Sequence, residues 1–223
     1  MISKESIKFL TDLKKNNNRD WFIANKDRYE KYKEEYQSVI ESMISEMIPY
    51  DDALKNLTVK DCSYRINRDI RFSKDKTPYK THMPIWLSAG KKNTNLAGYY
   101  LHIEKGQSFI AGGVYWPDAS DLKKIRKEIA FFYEDLEKII SNKDFARVFG
   151  DFDRSENNSL KTSPKNYEKD HPAIEFLKLK CFTATHKIDD KEISSPDFIP
   201  KIAEKLALLK PLNDFLNRAL TAE

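Results

Sequence analysis

Gly98 to Glu104 and Ser108 to Tyr115 both read as strands, and only Lys105, Gly106 and Gln107 lie between them. A three-residue connection containing glycine can reverse the chain, but it is far too short for the crossover that parallel neighbours need. The two strands are therefore antiparallel. Pro84 to Ala89 supplies a third strand upstream, and Cys181 to His186 another one downstream. A central antiparallel set of this kind restricts the fold more than any other feature of the chain.

Helical periodicity occupies both ends. Ser3 is placed to cap a first helix carrying Ile7, Phe9, Leu10 and Leu13, which the run Asn16, Asn17 and Asn18 should stop. A long amphipathic helix should begin near Asp20. Its apolar and aromatic positions (Phe22, Tyr29, Tyr32, Tyr36, Val39, Ile40, Met43, Ile44 and Met47) are mostly three or four apart until Pro49 closes it. Core packing explains the tyrosine stripe better than base stacking. Pro117 and Asp118 open a helical region through Ile139, and short helices are expected at Asp144 to Phe149 and Pro172 to Leu179. Closing helices are expected at Pro200 to Leu209 and Pro211 to Leu220. Residues 151–169 are polar and irregular. Helices flanking an antiparallel set imply one α+β domain over residues 1–223.

With 33% charged and 40% hydrophobic residues, the chain can build a core and is not a disordered polyelectrolyte. No apolar stretch approaches the roughly 20 residues that cross a bilayer, and the start MISKESIKFL lacks a long hydrophobic leader, so a cytoplasmic location is expected without membrane contact. Cys62 and Cys181 form no C-x-x-C pair and are expected to be packed free thiols.

The charge is uneven. Overall it is +4, from 39 Lys and Arg against 35 Asp and Glu. Arg65, Arg68, Arg71, Lys74, Lys76 and Lys80 fall between Arg65 and His82 with only Asp69 and Asp75 opposing them, which leaves 33 charges of each sign elsewhere. The whole excess therefore sits in one window, and a small anionic partner is the natural expectation. Tyr64 to Phe72 alternates with period two, so Tyr64, Ile66, Ile70 and Phe72 should share one face of a strand, with Arg68 among them. Arg65, Arg68 and Arg71 would then clamp a phosphate or carboxylate, Lys76 and Tyr79 would close over it, and Asp69 and Asp75 would hold the cations. The competing reading is an internal ion network in which those acids pair the arginines.

RINRDIRFSKDKTPYK, from Arg65, resembles the R-x-x-R-D-x-R-F…D-K-x-x-Y signature of a family of bacterial and fungal proteins catalogued as domain of unknown function 2461. NNNRDWF from Asn16, YYLHIEKGQSFIAGGVYWP from Tyr99, LKKIRKEI from Leu122, YEKDHPAIEFLKLK from Tyr167 and PLNDFLNRAL from Pro211 are similar to its other blocks. Asn166 stands where the family suggests glycine, and asparagine also tolerates a left-handed backbone. The resemblance implies an identity and no known reaction.

Catalysis would require more than cations. His82, His102, His171 and His186 lie in no H-E-x-x-H or C-x-x-C context, so the spacing indicates no metal site. His82 and His102 are the candidates for proton transfer, with Asp69 or Asp75, in a hydrolase or phosphotransferase acting on a phosphate-bearing substrate. Asp170 and His171, before Pro172, read as a helix start. The commonest nucleotide, dinucleotide and serine-hydrolase motifs are missing. Gly112 and Gly113 mark a bulge or a close backbone approach. Trp21, Trp86 and Trp116 could stack on bases, yet the neutral remainder argues against an extended nucleic-acid track. A third possibility is an interaction module for an acidic protein surface. Neither a cofactor nor an oligomeric state is legible.

Overall fold

The computed structural model describes residues 2–92 and 94–222. The expected α+β class is present: four strands form one antiparallel sheet in the order β1-β2-β3-β4, and helices surround it. The strands are β1 (Met83–Leu87), β2 (Gly98–Ile103), β3 (Phe109–Val114) and β4 (Phe182–Lys187). Pairing sets Trp86 opposite Tyr100, Tyr100 opposite Ala111, and Ala111 opposite Thr185. Because side chains alternate across a strand, these four residues share one face. Ile85, Leu101, Ile110 and Val114 point to the other face and are buried.

That buried face packs on helices drawn from both ends of the chain. At the N-terminal end these are α1 (Lys4–Lys15), α2 (Arg19–Ala24), α3 (Lys26–Met47) and the short α4 (Val59–Cys62). Ser3 caps α1 as expected, its hydroxyl accepting from the Ser6 amide at 3.1 Å. The predicted single helix from Asp20 is interrupted at Asn25, whose φ of −113° closes α2 and opens α3. Between β3 and β4 the chain makes an excursion through α5 (Ala119–Phe131), α6 (Tyr133–Ile140), α7 (Lys143–Phe149) and α8 (Ile174–Leu177). The predicted helix through Ile139 is likewise divided, at Phe132. After β4 come α9 (Asp190–Ile193), α10 (Phe198–Ala207) and α11 (Lys210–Thr221). Both α10 and α11 lie against β3, while α3 lies against β1.

The tyrosine stripe of α3 packs as expected. Tyr32 and Tyr36 are buried, with ring centroids 5.4 Å between Phe9 and Tyr32 and 6.0 Å between Tyr32 and Tyr36. Asn166 has φ of 72°, so the left-handed turn survives without glycine. Gly112 marks a close approach: a Cβ there would lie 2.7 Å from Leu209 Cδ1. Among the described residues no helix is long and apolar enough to cross a membrane.

One expected strand is not formed. Within Tyr64 to Phe72 the one isolated bridge pairs Asn67 with Tyr79, and Ser63 just before it bridges Ile85. The Arg68 amide donates to the Pro78 carbonyl at 2.9 Å and the Lys80 amide to the Ile66 carbonyl at 2.7 Å, so the segment folds back on itself and Asp69–Thr77 is a loop. Ile66 is buried, but Phe72 is 96% exposed. The alternation is real in sequence, yet beyond Ile66 no element covers the apolar side, so nothing fixes an extended register.

Cys62 and Cys181 are free and buried, as expected. Burial pushes the Cys62 thiol up to about 12, with Asp61 adding to the effect. Since the thiolate is the reactive form, Cys62 should resist a disulfide reagent at pH 8 in the folded protein and react fully in urea. Quantifying released chromophore checks this, and rapid native labelling mapped to Cys62 would contradict the packing.

Candidate functional site

The sheet face turned away from the helical core is the floor of a cleft of about 870 Å³, lined there by Trp86, Tyr100, Phe109 and Ala111. Trp116, half exposed at the rim, holds a left-handed φ of 47° and lies under the Lys180 ammonium at 5.5 Å. A bulky aromatic residue rarely adopts that conformation, and such backbone strain tends to accumulate at ligand-binding sites. At the far wall Asp153 accepts the hydroxyls of Thr183 and Thr185 at 2.6 and 2.7 Å.

A second lobe of about 340 Å³ continues from this cleft, the two sharing Tyr64, Lys80, His82, Pro84 and Lys92. Its other cations are Lys33, Lys60 and Arg65, and no carboxylate is among its lining residues. Two of its ammonium groups bind backbone carbonyls. Lys80 Nζ donates to the carbonyls of Arg65 and Asn67 at 2.7 and 2.8 Å, and Lys92 Nζ to that of Ser63 at 2.6 Å. Burial, with Arg65 and Arg68 nearby, lowers the Lys80 ammonium from its ordinary range. Tyr36 supports the same segment, its hydroxyl donating to the Pro84 carbonyl and accepting the Tyr64 amide at 2.9 Å.

The expected arginine clamp divides. Arg65 is exposed, lines the smaller lobe, and its guanidinium has no hydrogen-bond or ion-pair partner among the described residues. Arg68 Nη1 instead binds Asp75 Oδ2 at 2.6 Å, the Thr77 carbonyl at 3.1 Å and the Thr77 hydroxyl. Arg71 grips Asp69 with two nitrogens, at 3.0 and 2.7 Å, and is 76% exposed. This pairing draws the Asp69 carboxyl down to about 2. The Thr77 amide and hydroxyl, then Arg68, lower Asp75 as well. Lys76 Nζ turns inward to the Ile70 carbonyl at 2.9 Å. Tyr79 is packed away from both lobes: it is 8% exposed, its ring lies 4.1 Å from that of Phe22, and Asn17 binds its backbone on both sides. For Arg68 and Arg71 the internal ion network is what forms. Lys33 on α3, Lys60 on α4 and Lys92 in the loop after β1 also line this lobe, and no motif in the sequence links three positions so far apart.

The two candidate histidines meet. Their rings lie nearly parallel, 4.3 Å apart, with Phe109 4.7 Å beyond His102. The acid beside His102 is Glu104, at 3.3 Å, rather than Asp69 or Asp75, which serve Arg71 and Arg68. The Tyr100 hydroxyl lies 3.2 Å from His102 Nδ1. Burial drives His82 down to about 4, with the neighbouring His102 adding to the effect, and burial lowers His102 despite Glu104. Both rings are therefore neutral near pH 7. Of the three tryptophans, Trp86 and Trp116 line the cleft, while Trp21 packs on Phe9 at 6.1 Å.

The family described as "Conserved hypothetical protein (DUF2461)" matches residues 5–215, nearly the whole chain. The chain belongs to the DUF2461 family. No curated protein and no solved structure matches it. DUF2461 membership agrees with the resemblance carried by the motif from Arg65, and the geometry divides that motif's residues between a loop-stabilising network and the wall of a cleft.

Proposed function

We propose that this protein binds a compact anionic ligand, bearing phosphate or carboxylate, whose planar body rests on the aromatic floor of the sheet. One observation carries this reading: the smaller lobe gathers Lys33, Lys60, Arg65, Lys80 and Lys92 with no carboxylate among its lining residues. Cations converging on a concave, partly desolvated surface favour an anion more strongly there than in open water. The adjoining floor of Trp86, Tyr100 and Phe109 offers rings for stacking. The anion site thus lies to one side of the expected clamp, with Arg65 as the member of the motif that serves it.

Thermal-shift and calorimetric titration with nucleoside monophosphates, aromatic carboxylates and inorganic phosphate tests the proposal. A planar anion should raise the melting temperature saturably, more than phosphate alone, because it binds only the folded state. Arg65→Ala and Lys92→Met should each weaken binding roughly tenfold or more, the usual loss when a charge-assisted hydrogen bond is removed. Arg71→Ala, in the exposed Asp69 pair, should leave it unchanged. Equal shifts in Arg65→Ala, Lys92→Met and parent, or no shift with any of these compounds, would reject the site.

A further inference from the structure

Three side chains outside any recognised metal motif converge beside the cleft. One potential ligand atom from each of His82, His102 and Glu104 lies within 4.8 Å of the other two. His102 lies in β2, while His82 and Glu104 directly flank the paired ends of β1 and β2. His102 and Glu104 are two residues apart on one face of β2 and its extension, and Met83 pairs with Ile103, which brings His82 beside Glu104 across the ladder. Residues anchored directly beside paired strands hold such groups more accurately than free loops do.

We infer that this cluster binds a divalent transition-metal ion. Two imidazole nitrogens and one carboxylate oxygen suit zinc, cobalt, nickel or ferrous iron, whereas magnesium and calcium prefer all-oxygen shells. The surroundings match what a ligating histidine requires. The Tyr100 hydroxyl oxygen, 3.2 Å from His102 Nδ1, can accept a hydrogen bond from Nδ1–H, the tautomer that leaves the Nε2 lone pair facing Glu104 Oε2 at 3.3 Å. Lys14 holds the other carboxylate oxygen, Oε1, at 2.7 Å and fixes the orientation of Glu104. His82 is the adjustable member: no hydrogen bond among the described residues restrains its ring, so rotation of its side chain brings a nitrogen towards the ion. Three protein ligands leave at least one position open. His82 lines both lobes, so the cluster borders the cleft through that residue. This inference does not rest on the anion reading, since none of its ligand atoms comes from the lobe's cations Lys33, Lys60, Arg65, Lys80 and Lys92.

The rival occupant is a proton. With Nε2 protonated towards Glu104 and the Tyr100 hydroxyl donating to Nδ1, the network closes without an ion. The full chain, stripped with a chelator and dialysed, separates the two when titrated with cobalt(II) and then zinc(II), with no anionic ligand added. One ion per chain should bind with micromolar or tighter affinity, cobalt should show visible ligand-field bands that zinc abolishes, and millimolar magnesium should not compete. His102→Ala and Glu104→Gln should each weaken binding roughly tenfold or more, and His82→Gln should alter the cobalt bands. If His102→Ala fails to fold, the parent's histidine side-chain nitrogen resonances replace it: zinc should shift His102 Nε2 strongly and Nδ1 little. Absence of stoichiometric binding, affinity unaffected by both Glu104→Gln and His82→Gln, or an unmoved His102 Nε2 signal would assign the cluster to the proton and overturn the metal site.

Discussion

Gly113→Ala should lower the unfolding free energy by roughly 2–4 kcal/mol, combining backbone strain with overpacking. Gly113 has φ of 113°, a region that side-chain-bearing residues rarely enter. A Cβ built there would lie 2.0 Å from the Phe182 carbonyl oxygen, a backbone atom that cannot rotate aside. Gly113 pairs with Thr183, so relief of the clash must push β4 away from β3. That displacement would shift Thr183 and Thr185, which bind Asp153 at the far wall of the cleft. Chemical denaturation checks the stability, and ligand titration of the surviving folded fraction checks the cleft. A variant as stable as the parent would show that the β3–β4 register differs from the one described.

Tyr36→Ala should cost about 3–5 kcal/mol, the usual range for deleting a buried aromatic side chain. Tyr36→Phe separates the contributions. It retains the ring against Tyr32 but removes the hydroxyl that accepts the Tyr64 amide and donates to the Pro84 carbonyl. Leaving such groups unmatched costs about 1–3 kcal/mol. The hydroxyl joins α3 to the start of β1 and to the segment carrying Arg65, so Tyr36→Phe should also weaken anion binding without removing any cation. Denaturant midpoints for both variants, with a ligand titration of Tyr36→Phe, test the linkage. Indistinguishable stability of Tyr36→Phe and parent would mean that the hydroxyl does not join these elements.

Local patterns made much of the fold legible. The Lys105–Gln107 connection fixed the antiparallel hairpin because three residues leave no other route, and Ser3 capped α1 because its hydroxyl is a ready acceptor for a free amide. Errors arose where a local pattern had a nonlocal competitor. Helical periodicity ran through Asn25 and Phe132, yet both residues leave the helical region, with φ of −113° and −123°. Period two ran through Phe72, yet no partner strand or covering layer was there to enforce it.

The site follows the same division. Sequence alone determined the family, the α+β class, the strand segments β1 to β4 and the placement of the charge excess between Arg65 and His82, since each follows from neighbouring residues. Which cations pair with Asp69 and Asp75 and which line a lobe was decided by tertiary structure. Asp75 and Asp69 engage Arg68 and Arg71, whereas Arg65, Lys80 and Lys92 face one lobe with lysines from α3 and α4. The meeting of His82 with His102 and Glu104 likewise depends on the pairing of β1 with β2. Electrostatic and coordinate interactions act across a few ångströms of space, and distance along the chain carries almost no information about them once the sheet has brought remote segments together.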